Sequence, residues 1–203
     1  MKIEKFINKI LSSNSYILHN EFENTVWIID PGDSKQLLDW VCQNNKILAG
    51  ILLTHSHIDH IYGVNDLCEK YPLIKIYASK NAKEGLFLPK VNGSYYLEMT
   101  YFIKNDNIEY INNEDTIELW EGESVLVFDT PGHDYDCVSY YIKNYLFTGD
   151  ALIPGVKPHL KSKKADKQTA YNTIKWIKTF FDEMTLIYPG HKDSCQLKEI
   201  NIT

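Results

Sequence analysis

The chain has 203 residues, of which 44% are hydrophobic and 24% charged, and its formal net charge is -6. This length and composition predict one globular domain, residues 1–203, and exclude a disordered or fibrous chain. All 21 basic residues are lysines, so a bidentate guanidinium clamp is excluded, and the acidic balance disfavours nucleic acid as a partner.

The beginning of the sequence interleaves charged and apolar residues, and it lacks the continuous apolar run of a secretion signal. No stretch is long enough to span a membrane. The four cysteines are far apart and form no Cys-x-x-Cys pair, which fits reduced thiols. We therefore predict a soluble, cytoplasmic protein without a membrane partner; its oligomeric state is left open.

In the first half of the chain, strand patterns alternate with helical patterns. An antiparallel meander comes first, and the turn Asp30-Pro31-Gly32-Asp33 ends it, where Asp33 or Ser34 can cap a helix. A second helical pattern runs from Val64 to Tyr71 and stops before Pro72. The strands predicted here are 2–11, 14–18, 25–29, 47–53 and 74–78.

Residues 80–113 are the least regular part of the sequence. A short helix is predicted at 81–88, and the aromatic-rich stretch 93–102 is interpreted as an insertion that could roof a pocket or fill the core. Later elements follow the ordinary patterns. They are strands at 108–111, 116–120, 124–129, 138–142, 145–148 and 186–188, and a helix at 169–181.

The densest cluster of potential ligands is Thr54-His55-Ser56-His57-Ile58-Asp59-His60, directly after the apolar run 47–53. The motif therefore lies in the loop at the C-terminal end of a predicted strand. His55 and His57 can share one metal, and Asp59 and His60 can point at a second. Imidazole and carboxylate suit zinc, iron or manganese, and no thiolate is needed.

Three later strands also end in a glycine next to a potential ligand: Gly132-His133, Gly149-Asp150 and Gly190-His191. Glycine permits a sharp backbone turn, which lets the next side chain face the sheet edge. Five of the seven histidines thus lie in loops that leave strands. Each short motif is weak by itself, but their order after the first motif strongly indicates one metal site.

In these motifs the chain resembles the metallo-β-lactamase superfamily, over nearly its whole length to His191. The resemblance implies an α+β fold, a four-layer αββα sandwich with a binuclear metal site. Within the superfamily the full ligand set looks like the glyoxalase II-like hydrolases. It implies a first metal held by His55, His57 and His133, a second held by Asp59, His60 and His191, and Asp150 as the bridge between them.

The function implied is a binuclear metal-dependent hydrolase that uses a metal-bridging hydroxide on a thioester, lactone or related ester, a small-molecule substrate. The expected cofactors are two divalent ions, zinc first, with iron or manganese as alternatives. Asp59 is the expected catalytic residue, because it can orient the hydroxide or accept its proton. The alternatives are a mononuclear iron persulfide (sulfur) dioxygenase and, less favoured, a metal-dependent nuclease.

Other residues near the motifs allow two interpretations. Tyr62 either enters the pocket or packs in the core, and Asp134 and Asp136 either orient His133 or face solvent, which we favour. His159 and Lys161, in the lysine-rich loop after Asp150, are candidate substrate contacts. Only twelve residues follow His191, so we expect no helical glutathione-binding domain of the glyoxalase II type and leave glutathione as the thiol in doubt.

Overall fold

The computed structural model describes residues 1–201. The chain divides into two compact units, Met1–Tyr110 and a second unit that begins at Ile111. The predicted single domain therefore stays a prediction. No helix in residues 1–201 combines the length and apolarity that crossing a lipid bilayer requires.

The first unit is built on a mixed six-stranded sheet in the order β1-β2-β3-β4-β5-β6. β1, β2 and β3 pair antiparallel, whereas β3, β4 and β5 pair parallel. The last strand ends at Ile111, where the second unit begins. The strands are β1 Lys2–Ile7, β2 Asn14–His19, β3 Thr25–Ile29, β4 Ile47–Leu52, β5 Lys75–Ser79 and β6 Ile108–Ile111.

The helices of this unit follow the predicted apolar spacing. They are α1 Ser34–Gln43, α2 Ile58–Ile61, α3 Val64–Lys70 and α4 Lys83–Phe87. Asp33 lies at the N-cap position of α1 but makes no capping bond, because its carboxylate accepts a hydrogen bond from the backbone N–H of Lys9 instead. Asp33 thus occupies the predicted N-cap position without the predicted capping bond, and the helix begins where we expected.

The parallel pairing of β3 with β4 places their carboxyl ends side by side, with Ile29 opposite Leu52. Asp30 directly follows β3, and Thr54 is the second residue after β4, so both lie at the same edge of the sheet. Ile28 and Ile51, near the ends of the two strands, are fully buried in the core of the first unit. This apolar anchoring gives the loop after β4 a rigid base.

The second unit contains a six-stranded sheet in the order β12-β11-β10-β9-β8-β7. β7 to β10 form an antiparallel meander, and β11 pairs parallel with β10 after a crossover through helix α5. The elements are β7 Thr116–Trp120, β8 Glu123–Asp129, β9 Val138–Ile142, β10 Tyr145–Gly149, α5 Lys167–Phe180, β11 Leu186–Pro189 and β12 Cys195–Gln196.

Helix α5 begins at a side-chain cap, because the Asp166 carboxylate accepts a hydrogen bond of 2.7 Å from the backbone N–H of Thr169. Its buried residues Ile174 and Ile177 pack in a core with Phe128 and Phe181. The sequence pattern predicted this face of the helix, whereas the short strand β12 was missed. Two residues are too few to give a recognisable alternation.

Candidate metal centre

In the first unit, the ligand candidates of the motif lie where β4 ends and α2 begins. His55, Asp59 and His60 are buried, with 1%, 4% and 0% of their surfaces exposed, whereas His57 is half-buried. The ring of His55 lies 4.6 Å from that of His57 and 4.3 Å from that of His60, measured between centroids. Nε2 of His60 lies 3.4 Å from Oδ2 of Asp59. Three polar rings packed this closely in a protein interior indicate a site built for a ligand.

Asp30 supports this cluster from the end of the neighbouring strand. Its side chain is buried, and its backbone has a φ of +50°, a conformation that aspartate tolerates better than most residues. Oδ1 accepts a hydrogen bond of 2.7 Å from the N–H of Thr54, and Oδ2 accepts one of 2.6 Å from the Thr54 hydroxyl. Oδ2 also lies 2.9 Å from Nδ1 of His60.

These contacts fix the protonation of two imidazole rings. A carboxylate oxygen only accepts, so Nδ1 of His60 carries the proton that it donates to Asp30. The Thr54 hydroxyl donates to Asp30 and therefore accepts from Nδ1 of His55, 3.0 Å away. In both rings Nε2 is left with the lone pair, which is the form that binds a metal ion.

The backbone of the same loop is held from the N-terminal meander. The Ser13 hydroxyl donates to the carbonyl of Asp59 at 2.6 Å, and the Ser15 hydroxyl donates to the carbonyl of Asp30 at 2.5 Å. Asn8 joins the two serines through its amide, with bonds of 3.0 and 2.9 Å. This buried polar network gives the acidic side chains at the sheet edge a fixed position.

In the second unit, Asp150 lies between two histidines. Its Oδ2 is 3.6 Å from Nε2 of His133 and 3.4 Å from Nε2 of His191. Nδ1 of His133 donates to the carbonyl oxygen of His159 at 2.7 Å, so the Nε2 of this ring also carries the lone pair. Gly132, which precedes His133, has a φ of +135°, a conformation in which other residues are strained.

The spacing of these atoms agrees with the coordination shell of a metal. Two ligand atoms at 2.0–2.2 Å from a tetrahedral zinc ion are separated by about 3.3–3.6 Å. The nitrogen–oxygen distances of 3.4, 3.4 and 3.6 Å match that separation and exceed a good hydrogen bond. The donor set of imidazole and carboxylate therefore fits divalent zinc, iron or manganese.

A family model for the metallo-beta-lactamase superfamily matches residues 9–191. The chain belongs to this superfamily. A hydroxyacylglutathione hydrolase of Buchnera aphidicola subsp. Schizaphis graminum is 34% identical over 161 residues, which are 79% of this chain and 56% of that protein. A second, from the subspecies Baizongia pistaciae, is 33% identical over 181 residues, which are 84% of this chain and 63% of that protein. The expected resemblance to the glyoxalase II-like group is confirmed.

The solved structures also agree with membership of the metallo-β-lactamase superfamily. BLEG-1, a B3 metallo-beta-lactamase, superposes with a TM-score of 0.89 and 26% identity, covering 98% of this chain and 95% of that chain. The predicted α+β, metallo-β-lactamase-like fold is thus confirmed. The superfamily implies divalent metal ions, and in the first unit one ligand atom each from Asp30, His55 and His60 lie within 4.8 Å of one another.

Two acidic residues after His133 do not behave as we expected. Asp134 and Asp136 are buried, with 3% and 1% of their surfaces exposed, rather than facing solvent. Asp134 accepts a hydrogen bond of 2.5 Å from the Ser162 hydroxyl. It therefore fastens the loop that carries His159, whose carbonyl orients His133. Burial, and next to it the charge of Asp136, raises the pKa of the Cys137 thiol well above its usual range.

The three predicted substrate contacts differ in their surroundings. Tyr62 packs against the core of the first unit, and burial, followed by the effect of the Asp33 carboxylate, raises its pKa. These contacts account for Tyr62 without a substrate. His159 and Lys161 are exposed on the loop after Asp150. Substrate binding by any of the three stays a prediction.

Four residues of the site were not predicted from the sequence: Asp30, Ser13, Ser15 and Asn8. A signal was present for Asp30: it follows an apolar strand and precedes Pro31-Gly32, the same strand-end arrangement that identified the other ligands. Nothing comparable marks the two serines or Asn8. They act through backbone carbonyls and amides that only the fold brings together.

Proposed function

We propose that this protein is a metal-dependent hydrolase that cleaves a thioester with two divalent ions. The position of Asp150 carries the proposal, because one carboxylate oxygen lies at ligand spacing from both His133 and His191. A carboxylate in that position suits a bridge between two ions. The named relatives support the thioester, although the chain spans only 56% and 63% of their length.

The proposed ligand set follows the superfamily motifs. Zinc is our first choice of metal, and iron or manganese are alternatives with the same donor preferences. In this set His55, His57 and His133 would hold the first ion, Asp59, His60 and His191 would hold the second, and Asp150 would contribute to both.

When bound, two such ions lower the pKa of a water molecule and polarise the carbonyl group that it attacks. The chain contributes the rest. Asp59 orients the attacking water and takes its proton, and Asp30 and Thr54 keep His60 and His55 in the ligand tautomer. Because a thiolate is a stable leaving group, the reaction needs little help from a general acid. His159 and Lys161 are proposed to attract an anionic part of the substrate.

A second candidate is the hydrolysis of a β-lactam amide. It is favoured by the structure of BLEG-1, a B3 metallo-beta-lactamase. The superposition with this chain covers 95% of the BLEG-1 chain. The same water and the same carbonyl polarisation would serve this reaction. An amine is a poorer leaving group than a thiolate, so we expect thioesters to react faster.

The first experiment measures the metal content of protein purified without chelators, together with its turnover of a hydroxyacyl thioester and of the β-lactam nitrocefin. We expect two ions per chain, thioester hydrolysis, loss of activity in EDTA and recovery with zinc. The variant Asp150→Ala should keep its fold but lose binuclear loading, whereas Asp39→Asn, a surface charge change on α1, should match the wild type. A single iron with oxygen uptake on a persulfide would contradict the hydrolase and support the dioxygenase.

A further inference from the structure

Residues 83–103, which we name the aromatic segment, lie beside the metal motif of the first unit. The segment contains α4 and a single helical turn at Ser94–Leu97. Its sequence shows no regular period and indicates no function by itself. The structure supplies three contacts that attach it to the loop bearing the ligands.

Two of the contacts reach the motif itself, and the third reaches Ile61, the residue directly after it. The N–H of Ile58, between His57 and Asp59, donates to the carbonyl of Asn92 at 2.8 Å. The hydroxyl of Tyr101 donates to the carbonyl of Ile61 at 2.7 Å. Gly85 lies so close to Ser56 that a Cβ atom at this position would be 1.9 Å from the serine hydroxyl. The aromatic segment thus forms one wall of the ligand loop.

The aromatic segment is also rigid within itself. Asn92 is 1% exposed, and its amide donates to the carbonyls of Gly85 and Tyr101 at 3.1 and 2.9 Å. The same side chain accepts from the N–H of Ser94 at 2.9 Å. One buried asparagine thus supplies hydrogen-bond partners to three backbone groups of the segment. The conformational entropy of ordering the segment is therefore lost on folding, before any ligand binds.

A small apolar face lies within a few residues of Asn92. Leu88, Tyr95, Tyr96 and Leu97 expose 47%, 56%, 66% and 42% of their surfaces. Exposed apolar groups that adjoin one another commonly mark a binding surface. Tyr95 is only three residues from Asn92, a distance of at most about 11 Å along the chain, so the face begins within reach of a substrate held at the motif.

We propose that this face binds the apolar acyl group of the substrate and sets a preference for longer acyl chains. The proposal rests on the thioester hydrolysis proposed above. The Lys90 ammonium lies over the Tyr95 ring, 5.2 Å from its centroid, but the four side chains of the face itself are uncharged and suit hydrocarbon better than a peptide or sugar. Its exposed area is roughly 400 Å², about half of what each partner contributes to a stable interface, which favours a small ligand over a second copy of the chain.

The test uses metal-loaded protein and the acetyl, butyryl, hexanoyl and octanoyl thioesters of one small thiol. Full burial of a methylene is worth about a fourfold gain in kcat/KM, so we expect a rise of up to about 200-fold from acetyl to hexanoyl. In the variant with Tyr95→Ser, Tyr96→Ser and Leu97→Ser, the ratio of kcat/KM for the hexanoyl thioester to kcat/KM for the acetyl thioester should fall to less than about threefold.

The matched control is Phe22→Ser, which removes a side chain that is 95% exposed in the turn between β2 and β3. That turn precedes β3, whereas the ligand loops follow β3 and β4, so the control should keep the full chain-length dependence. A second measurement is the calorimetric Kd of the non-hydrolysable octyl thioether of the same thiol, which should rise at least tenfold in the triple variant.

The outcomes separate the two proposals. A wild type that hydrolyses all four thioesters equally, or a rise that survives in the triple variant, overturns the acyl site. A second outcome also overturns the acyl site, in favour of self-association. In it the wild type is a dimer, the triple variant is a monomer, and the dependence of kcat/KM on acyl-chain length is unchanged. If no thioester is hydrolysed, the proposed function fails. The binding measurement then tests the acyl site by itself: tighter binding of the octyl than of the methyl thioether supports it, and equal binding overturns it.

Discussion

Replacing Asp30 with asparagine tests whether the ligand tautomer of His60 depends on this carboxylate. The oxygen of the new amide side chain can still accept the hydrogen bond from the N–H of Thr54. The other carboxylate oxygen, which serves the Thr54 hydroxyl and Nδ1 of His60, becomes an NH₂ group. Two donors then face each other at His60, unless its proton moves to Nε2 and blocks metal binding.

The magnitude follows from that conflict. A buried donor left without an acceptor costs about 1–3 kcal/mol, which is about a 5- to 150-fold loss in metal affinity. Mutations of residues that orient ligating histidines have effects of the same size, roughly 10- to 100-fold. His55 should be spared, because the Thr54 hydroxyl can accept both from the new amide and from Nδ1 of His55. We therefore expect one of the two proposed metal ions to bind more weakly.

The assay is a titration of metal-loaded protein with a chromophoric chelator, with metal content measured after dialysis. Asp30→Asn should lose one ion at a chelator concentration that leaves two in the wild type and in the control Asp39→Asn. Far-UV circular dichroism and the urea midpoint report whether the variant folds. A folded Asp30→Asn protein that binds two ions with wild-type affinity would refute the reasoning.

Three further predictions concern stability and the thiols. Gly132→Ala should destabilise the fold by about 3 kcal/mol in urea titrations, because φ is +135° and the new methyl group would be 2.3 Å from the backbone of Ala170; a midpoint within error of the wild type would contradict it. Cys42 should react with Ellman's reagent at pH 8 at once, whereas the buried Cys137, whose pKa is raised, should react only on unfolding. The hydrogen bond from Thr169 lowers the pKa of Asp166 below its usual value of 3.8, so the stabilisation it gives α5 is present above that pH and is lost as the pH falls through the lowered pKa. Asp166→Asn should remove this part of the acid dependence of the urea midpoint; an unchanged dependence would show that the cap does not contribute.

Much of the fold could be predicted because its elements have strong local patterns. The observed bounds of Thr25–Ile29, Ile108–Ile111, Thr116–Trp120 and Val138–Ile142 are those predicted from alternation and turn residues. The inward-facing apolar residues of these strands are buried or half-buried. Asp33 lies at the predicted N-cap of α1, but its carboxylate accepts a hydrogen bond from the N–H of Lys9, which is far away in sequence, and makes no capping bond.

The candidate site divides in the same way. Histidines and aspartates at strand ends could be recognised because each sits beside a glycine or within a dense motif. The residues that hold them in place could not, since Ser13, Asn92 and the carbonyl of His159 act through contacts that span 46, 34 and 26 positions of sequence. The burial of Asp134 could not be predicted for the same reason, because its partner, the hydroxyl of Ser162, is distant in sequence.

His60 and His133 are oriented by two kinds of partner, a side chain and a main-chain carbonyl, and the two kinds constrain sequence variation differently. His60 depends on a side chain, the carboxylate of Asp30, so the identity of that residue is constrained. His133 depends on the main-chain oxygen of residue 159, which any amino acid supplies. Substitutions at position 159 should therefore leave the orientation of the His133 ring unchanged. Adding or deleting one residue between Asp150 and Ser162 should disturb it. For His60 the constraint is the identity of one residue, and for His133 it is the length of a loop.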